Sequence, residues 1–394
     1  MSARGALARF VAMAALLTAL LYGCAKTGPD AGLNSAAPGL PNWAHRDSAD
    51  CAACHPGIVT EWRQSMHAHS TADKNPLYKM MVGQAIEKLG PQAQATCARC
   101  HYPEWKDAAV AAGIAVEGVS CVVCHRIHPD HPKKSLDTGA LGAFARSKEG
   151  VTGPQGLCLA CHSDLATPDG RQICTTGTEN AASAQSCVDC HMPIVKGQPA
   201  VGSKSTVHRR HAFPGGYSPD FVKGSASLAI RTDDEAEELT VVLEVKRMFT
   251  GHDLPTGNPM RHVVLRVEAF DEDDEEIWSN IADNPHEDDP GAVFQRTFAD
   301  AEGHRPVPPF ASAGPPTDTR LRAGETRELR YAIPQETQVV RAWLEYRLGP
   351  EALLTKAGLP EEHALPKIIT KAELDLGDEA APDDEAGPDE DDAP

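Results

Sequence analysis

The sequence predicts a multidomain chain, a mostly α/irregular N-terminal module followed by an antiparallel β-sandwich. Three observations carry this expectation. A Cys-x-x-Cys-His motif recurs five times between residues 51 and 191. Gly, Pro and short helical patches fill the stretches between the motifs. From about residue 225 the pattern changes to alternating apolar and polar residues rich in Val. Charge follows the same divide: residues 45–222 hold 17 Lys+Arg and 16 Asp+Glu, whereas residues 223–394 hold 17 and 39.

The five motifs are Cys51/Cys54/His55, Cys97/Cys100/His101, Cys121/Cys124/His125, Cys158/Cys161/His162 and Cys187/Cys190/His191. With 12 Cys and 17 His in 394 residues, random placement gives about 0.016 such motifs, so composition does not explain five. Paired Cys-x-x-Cys segments also build zinc ribbons, but zinc requires no histidine after every second cysteine. Ten cysteines would also make an awkward two and a half four-cysteine sites. Cys-x-x-Cys-His is the attachment signature of c-type haem. The thiols form thioethers and the adjacent imidazole becomes the proximal iron ligand. The motifs therefore predict five covalent haems c, with His55, His101, His125, His162 and His191 proximal.

Residues 45–222 supply roughly 35 residues per haem, too few for separate cores. A pentahaem domain whose core is largely haem follows, with helical patches expected at 57–67, 76–89 and 103–112. The β-sandwich is expected over 223–350, where "DEDDE" separates two strand-like runs as a hairpin turn would. No nucleophile–base pair or phosphate loop is recognisable there. A C-terminal segment, 351–394, ends in "ELDLGDEAAPDDEAGPDEDDAP", which contains no Lys or Arg and is expected to be disordered and solubilising. The net charge of −19 argues against nucleic-acid binding.

Residues 1–24 read as a signal peptide: Arg4 and Arg9, an apolar run from Phe10 to Tyr22, then Gly23-Cys24. The run is short for a membrane span. "LYGC" resembles a bacterial lipobox, which makes Cys24 the lipidated residue and the membrane a partner through that lipid. An ordinary cleaved signal and an uncleaved anchor are the alternatives. Residues 25–44 read as a linker. Cys174 is left over as a lone structural thiol.

"CAACHPGIVTEWRQSMHAHS" resembles the first haem segment of multihaem cytochromes of the c-552/c-554 type, in which the motif is followed by a Trp and a Ser-x-His-Ala element. "HRRHAFPGG" and "GHDLPTGNPMRHVVLRVEAFDEDDEEIW" are similar to later blocks of relatives with a C-terminal β domain. The best-known members carry four haems and pass electrons in the periplasm, so a fifth motif departs from that number. The resemblance implies distal-ligand roles for His67 and His211.

Further distal candidates come from the residues themselves. His128 would share a helix face with His125 if the motif helix continued, so it should cap a neighbouring haem, with His131 the alternative. His208 is the rival of His211 or a fifth ligand. His252 is either a turn histidine or a ligand donated by the β domain. Three functions are then open: a relay passing single electrons between redox partner proteins, an oxidoreductase acting on a small nitrogen or sulfur compound at one open haem, and a subunit of a haem filament. All five motifs end in His, against the Cys-x-x-Cys-Lys of pentahaem nitrite reductases.

Overall fold

The structure, a computed structural model, describes residues 48–103, 117–126, 137–138, 154–166, 170, 172–181, 183, 185–249 and 251–377. The expected leader with Cys24, the linker, the helical patch at 103–112 apart from its first residue, His128 and the tail beyond 377 lie outside these residues.

Each attachment motif begins in or follows a helical turn: α1 Ser48–Cys51, then α2 Pro56–Arg63, α3 Pro76–Leu89, α4 Gln92–His101, α5 Cys121–Cys124, α6 Pro154–His162, α7 Thr176–Asn180 and α8 Cys187–His191. On a helical turn, positions i, i+3 and i+4 share a face, so Cys-x-x-Cys-His presents two thiols and an imidazole together. Helix α3 matches its expected span. The Asn75 side chain accepts from the Tyr78 amide at its start, and Gly90 at φ 90° ends it. Its Tyr78 and Val82 pack on Ala98 of α4 and on Tyr102.

Helix α2 stops at Arg63, short of the expected 67. The Ser65 hydroxyl donates to the Trp62 carbonyl and accepts from the Ala68 amide, replacing the helical ladder with a turn. The third motif departs further from expectation. Helix α5 ends at Cys124, and His125 is extended (φ −114°, ψ 129°). The premise that His125 and His128 share a helix face therefore fails.

Short antiparallel ribbons follow the third, fourth and fifth motifs: β1 His125–Arg126 with β2 Asp137–Thr138, β3 Leu165–Ala166 with β4 Gln172–Cys174, and β5 Ile194–Lys196 with β6 Val207–Arg209.

Nine longer-range strands come next: β7 Ala226–Thr232, β8 Thr240–Arg247, β9 His262–Phe270, β10 Glu276–Ser279, β11 Val293–Thr297, β12 Thr317–Asp318, β13 Thr326–Ala332, β14 Val339–Arg347 and β15 Lys367–Asp375. They form two antiparallel sheets, ordered β13-β8-β7 and β12-β11-β9-β14-β15, with β10 on β9. Alternation turns Leu243 and Val245 of β8, Val263 and Leu265 of β9 and Val340 and Leu344 of β14 into one shared apolar core. The β9–β10 hairpin turns through the expected acidic run, with Asp274 at φ 60°. The β region extends past residue 350, because β15 pairs along β14. Glu373 and Asp375, expected in the disordered tail, are strand residues. Their acidic setting masked an alternating pattern that buries Lys367 and Ile369.

Candidate haem-binding site

All ten motif cysteines and all five motif histidines line one connected cavity of about 2450 Å³. Single small-molecule pockets span about 300–1,000 Å³, so this volume suits several large groups rather than one. The attachment segments touch one another inside it. The Cys51 and Cys121 thiols are in hydrogen-bonding contact, as are Cys100 with Cys161 and Cys158 with Cys187. The Cys124 thiol lies near those of Cys158 and Cys161.

Across this cavity imidazoles from different segments meet in pairs. His67 and His162 have ring centroids 6.2 Å apart, His125 and His211 6.1 Å, and His191 and His252 6.3 Å. Two imidazoles bound from opposite sides to one metal, with bonds of about 2.0–2.1 Å, place their centroids about 6 Å apart. Each pair joins one proximal candidate to one distal candidate.

Hydrogen bonds set the tautomers. Nδ1 of His191 donates to the Pro214 carbonyl (2.7 Å), that of His211 to Arg209 (2.7 Å) and that of His252 to Asp253 (2.8 Å). His55 donates likewise to Pro199 (2.6 Å) and His101 to Ser70 (3.1 Å). With Nδ1 protonated, Nε2 carries the lone pair that a metal needs. Burial, reinforced by the facing imidazole, lowers His67 to about 3 and His125 to about 4. Neutral, ligand-competent rings at pH 7 result.

The backbone around His67 is closely fitted. A Cβ on Gly118 would lie only 2.1 Å from the His67 carbonyl oxygen, and the Val119 amide donates to that oxygen (2.9 Å). The Trp62 indole donates to the Val119 carbonyl (2.9 Å). Phe213, at φ 45°, packs its ring 4.3 Å from His67 and 5.7 Å from His211. A non-glycine residue in this region stores strain, here beside two distal candidates at once.

His208 is not brought to the cavity. Strand alternation on β6 turns it inward, where Nδ1 bonds the Gly197 carbonyl and Nε2 the Glu61 carboxylate, both at 3.0 Å. Both ring nitrogens are committed, so the expectation of a fifth ligand here is corrected. Nothing in its sequence separation from His211 reveals this; only the ribbon's register does. Among the described residues, no second imidazole comes as near to His101. Its ring instead stacks on Tyr78 (3.9 Å, 16°).

The β sheets reach the cavity through the loop after β8. That loop is anchored by residues that the motif reading passed over. Glu179 of α7 accepts from the Asp253 amide and the Thr256 hydroxyl and pairs with Arg320 at 2.6 Å. The Arg320 and Glu179 side chains are 4% and 5% exposed, and Arg320 also binds Asp318. Burial alone would raise Glu179, but Arg320 and the hydroxyl donors outweigh it and hold the carboxyl below its ordinary range. Asn180 donates to the Gly251 carbonyl next to His252 (2.8 Å). Cys174 is buried with its thiol 3.1 Å from the Thr176 hydroxyl.

A family model described as "Cytochrome c554 and c-prime" matches residues 50–126. A solved penta-heme cytochrome c552 from Thermochromatium tepidum superposes with a TM-score of 0.66 at 28% identity, covering 84% of this chain and 100% of that one. Both findings support a multihaem cytochrome c of the c-552/c-554 type. No curated protein matches it by sequence. In this cytochrome the family match ends at Arg126, so it covers the first three motifs, while the structural likeness reaches into the β strands.

The residues fit haem c on the cytochrome's own geometry: thiol pairs and imidazoles converge on a mostly apolar cavity, with donor-set chemistry suited to thioether attachment and axial nitrogen ligation.

Proposed function

We propose that this cytochrome binds five haems c through its ten motif cysteines and relays single electrons along them. One observation carries the reading: three imidazole pairs, each spanning two segments of chain, stand 6.1–6.3 Å apart around one shared cavity. In this reading His67, His211 and His252 are distal ligands to the irons of His162, His125 and His191. A haem with two imidazoles is closed to small molecules and suited to outer-sphere electron transfer. His128 remains the proposed cap of a further haem.

The thiol contacts favour an order in which the first haem neighbours the third, the third neighbours the fourth, and the second and fifth both adjoin the fourth. The two antiparallel sheets, read as a β-sandwich, serve the relay by delivering His252. Haem supplies the electron-accepting iron. The chain supplies the axial nitrogens, the tautomer-setting carbonyls and a mostly apolar cavity. Export through residues 1–24, lipidation at Cys24 and docking of donor and acceptor proteins belong to the same proposal.

Mass spectrometry of the mature protein tests haem number and lipid together. Five porphyrin increments on the ten thiols are expected; a lower count overturns the pentahaem reading. EPR with optical titration then counts low-spin irons, of which at least three are expected.

A second reading rests on His101, which no imidazole faces among the described residues. Its haem would then be open, and an oxidoreductase acting on a small nitrogen or sulfur compound becomes the alternative. High-spin signal that shifts with nitrite or hydroxylamine, together with turnover, favours the enzyme. Its absence leaves the relay.

A further inference from the structure

Two arginines stand near the His252 loop with opposite surroundings. Arg320 has three carboxylates within reach: Glu179 at 2.6 Å, Asp318 at 2.8 Å and Asp253 at 3.5 Å. Arg247, at the end of β8, has none within 4.0 Å among the described residues, and it is only 5% exposed. Among the described residues its one side-chain hydrogen bond goes from Nη1 to the Ser225 carbonyl, and Nε is buried without a partner. Phe249 lies 5.6 Å from the guanidinium carbon. A buried cation without a counter-ion is costly unless something pairs it; Lys367 is also buried and unpaired among the described residues, but it does not line the cavity. Asp253 is close enough to act on Arg247 electrostatically, yet its carboxylate is committed to Arg322 at 2.6 Å.

Arg247 lines the haem cavity together with Cys190 and His252, and His252 follows it by five residues in the loop after β8. Cys190 and His252 belong to a single haem, attached at Cys187 and Cys190 with His191 and His252 as axial candidates. Each haem brings two propionates, and a planar guanidinium is suited to bind a carboxylate through two parallel hydrogen bonds.

We propose that Arg247 is the counter-ion of a propionate on the haem held by Cys187 and Cys190, and that its charge raises that haem's reduction potential. The inference rests on the pentahaem reading. When ferric iron takes one electron, the site loses one positive charge, so a fixed cation beside it favours the reduced form.

Spectroelectrochemical titration of Arg247→Gln and Arg247→Lys holoproteins tests this. The haem concerned is identified as the one whose low-spin signal disappears in His252→Ala. In Arg247→Gln its one-electron potential should fall by at least about 59 mV, a tenfold change in its oxidation equilibrium, with the other potentials in place. Arg247→Lys, which keeps the charge, should shift it less. Unchanged potentials in an Arg247→Gln protein with its full haem mass overturn the proposal and leave the relay intact. Missing haem mass in the wild type overturns the underlying reading instead. The wild-type potential should also be indifferent to chloride; a selective chloride dependence at this haem means that a solvent anion, not a propionate, is the partner.

Discussion

The imidazoles of His191 and His252 face each other at 6.3 Å with their planes 22° apart, although one ends the fifth attachment motif and the other sits in a loop between β8 and β9. This relationship brings the two parts of the molecule to one candidate axial pair. Replacing His252 with Ala should convert one haem to high spin while the others keep their spectra. EPR on the purified protein reads this directly, and an unchanged low-spin count refutes donation from the β sheets.

The Glu179–Arg320 pair should behave as a buried unit. Glu179→Ala takes one of three carboxylates from a buried guanidinium, together with the acceptor of the Thr256 hydroxyl, and is expected to cost about 1–3 kcal/mol. The loop carrying His252 should loosen with it. Thermal unfolding monitored at the haem bands will report both effects, and a stability loss with no change at the His191 haem would separate anchoring from ligation.

The same pair makes stability depend on pH. Glu179 and Asp318 are held below their ordinary values of 4.5 and 3.8 in the fold, despite burial that pushes the other way. A depressed carboxyl stabilises the fold above its unfolded pKa, and that contribution disappears as pH falls through the folded value. The carboxylate contribution should therefore be constant near neutrality and decline below about pH 4.5. In Arg320→Met the decline should be shallower, which unfolding midpoints measured from pH 3 to 7 will check.

His208 offers the opposite sign. Its hydrogen bond to the Gly197 carbonyl, opposed by burial and helped by Glu61, raises it above 6.5. Its stabilisation is complete below that value and is lost as pH rises through the folded one. Replacing His208 with Ala should cost about 1–2 kcal/mol and leave every haem's spin state as it was. A new high-spin signal would restore it as a ligand.

Gly118 is a steric test of His67. With a Cβ placed 2.1 Å from the His67 carbonyl, Gly118→Ala must move one of the two segments. The haem of His162 should lose low-spin character, while the His191 haem is untouched.

The five attachment motifs, and hence the haem chemistry, were legible because covalent attachment needs its three residues within five positions of sequence. Helix α3 and the strand alternation after residue 225 were legible for the same reason: their signals are local. Residues 1–24 and the acidic end carry their own compositional signals. What tertiary structure decided is the pairing. Axial ligation joins residues distant in sequence, so spacing could nominate His67, His211, His252 and His208 together, but only the inward register of β6 removes His208. The close passage of Gly118 brings its segment to His67, and the ion cluster around Arg320 brings the β8–β9 loop to His191. Burial without a counter-ion on the wall of the haem cavity, the combination found at Arg247, exists only once the chain has closed around it.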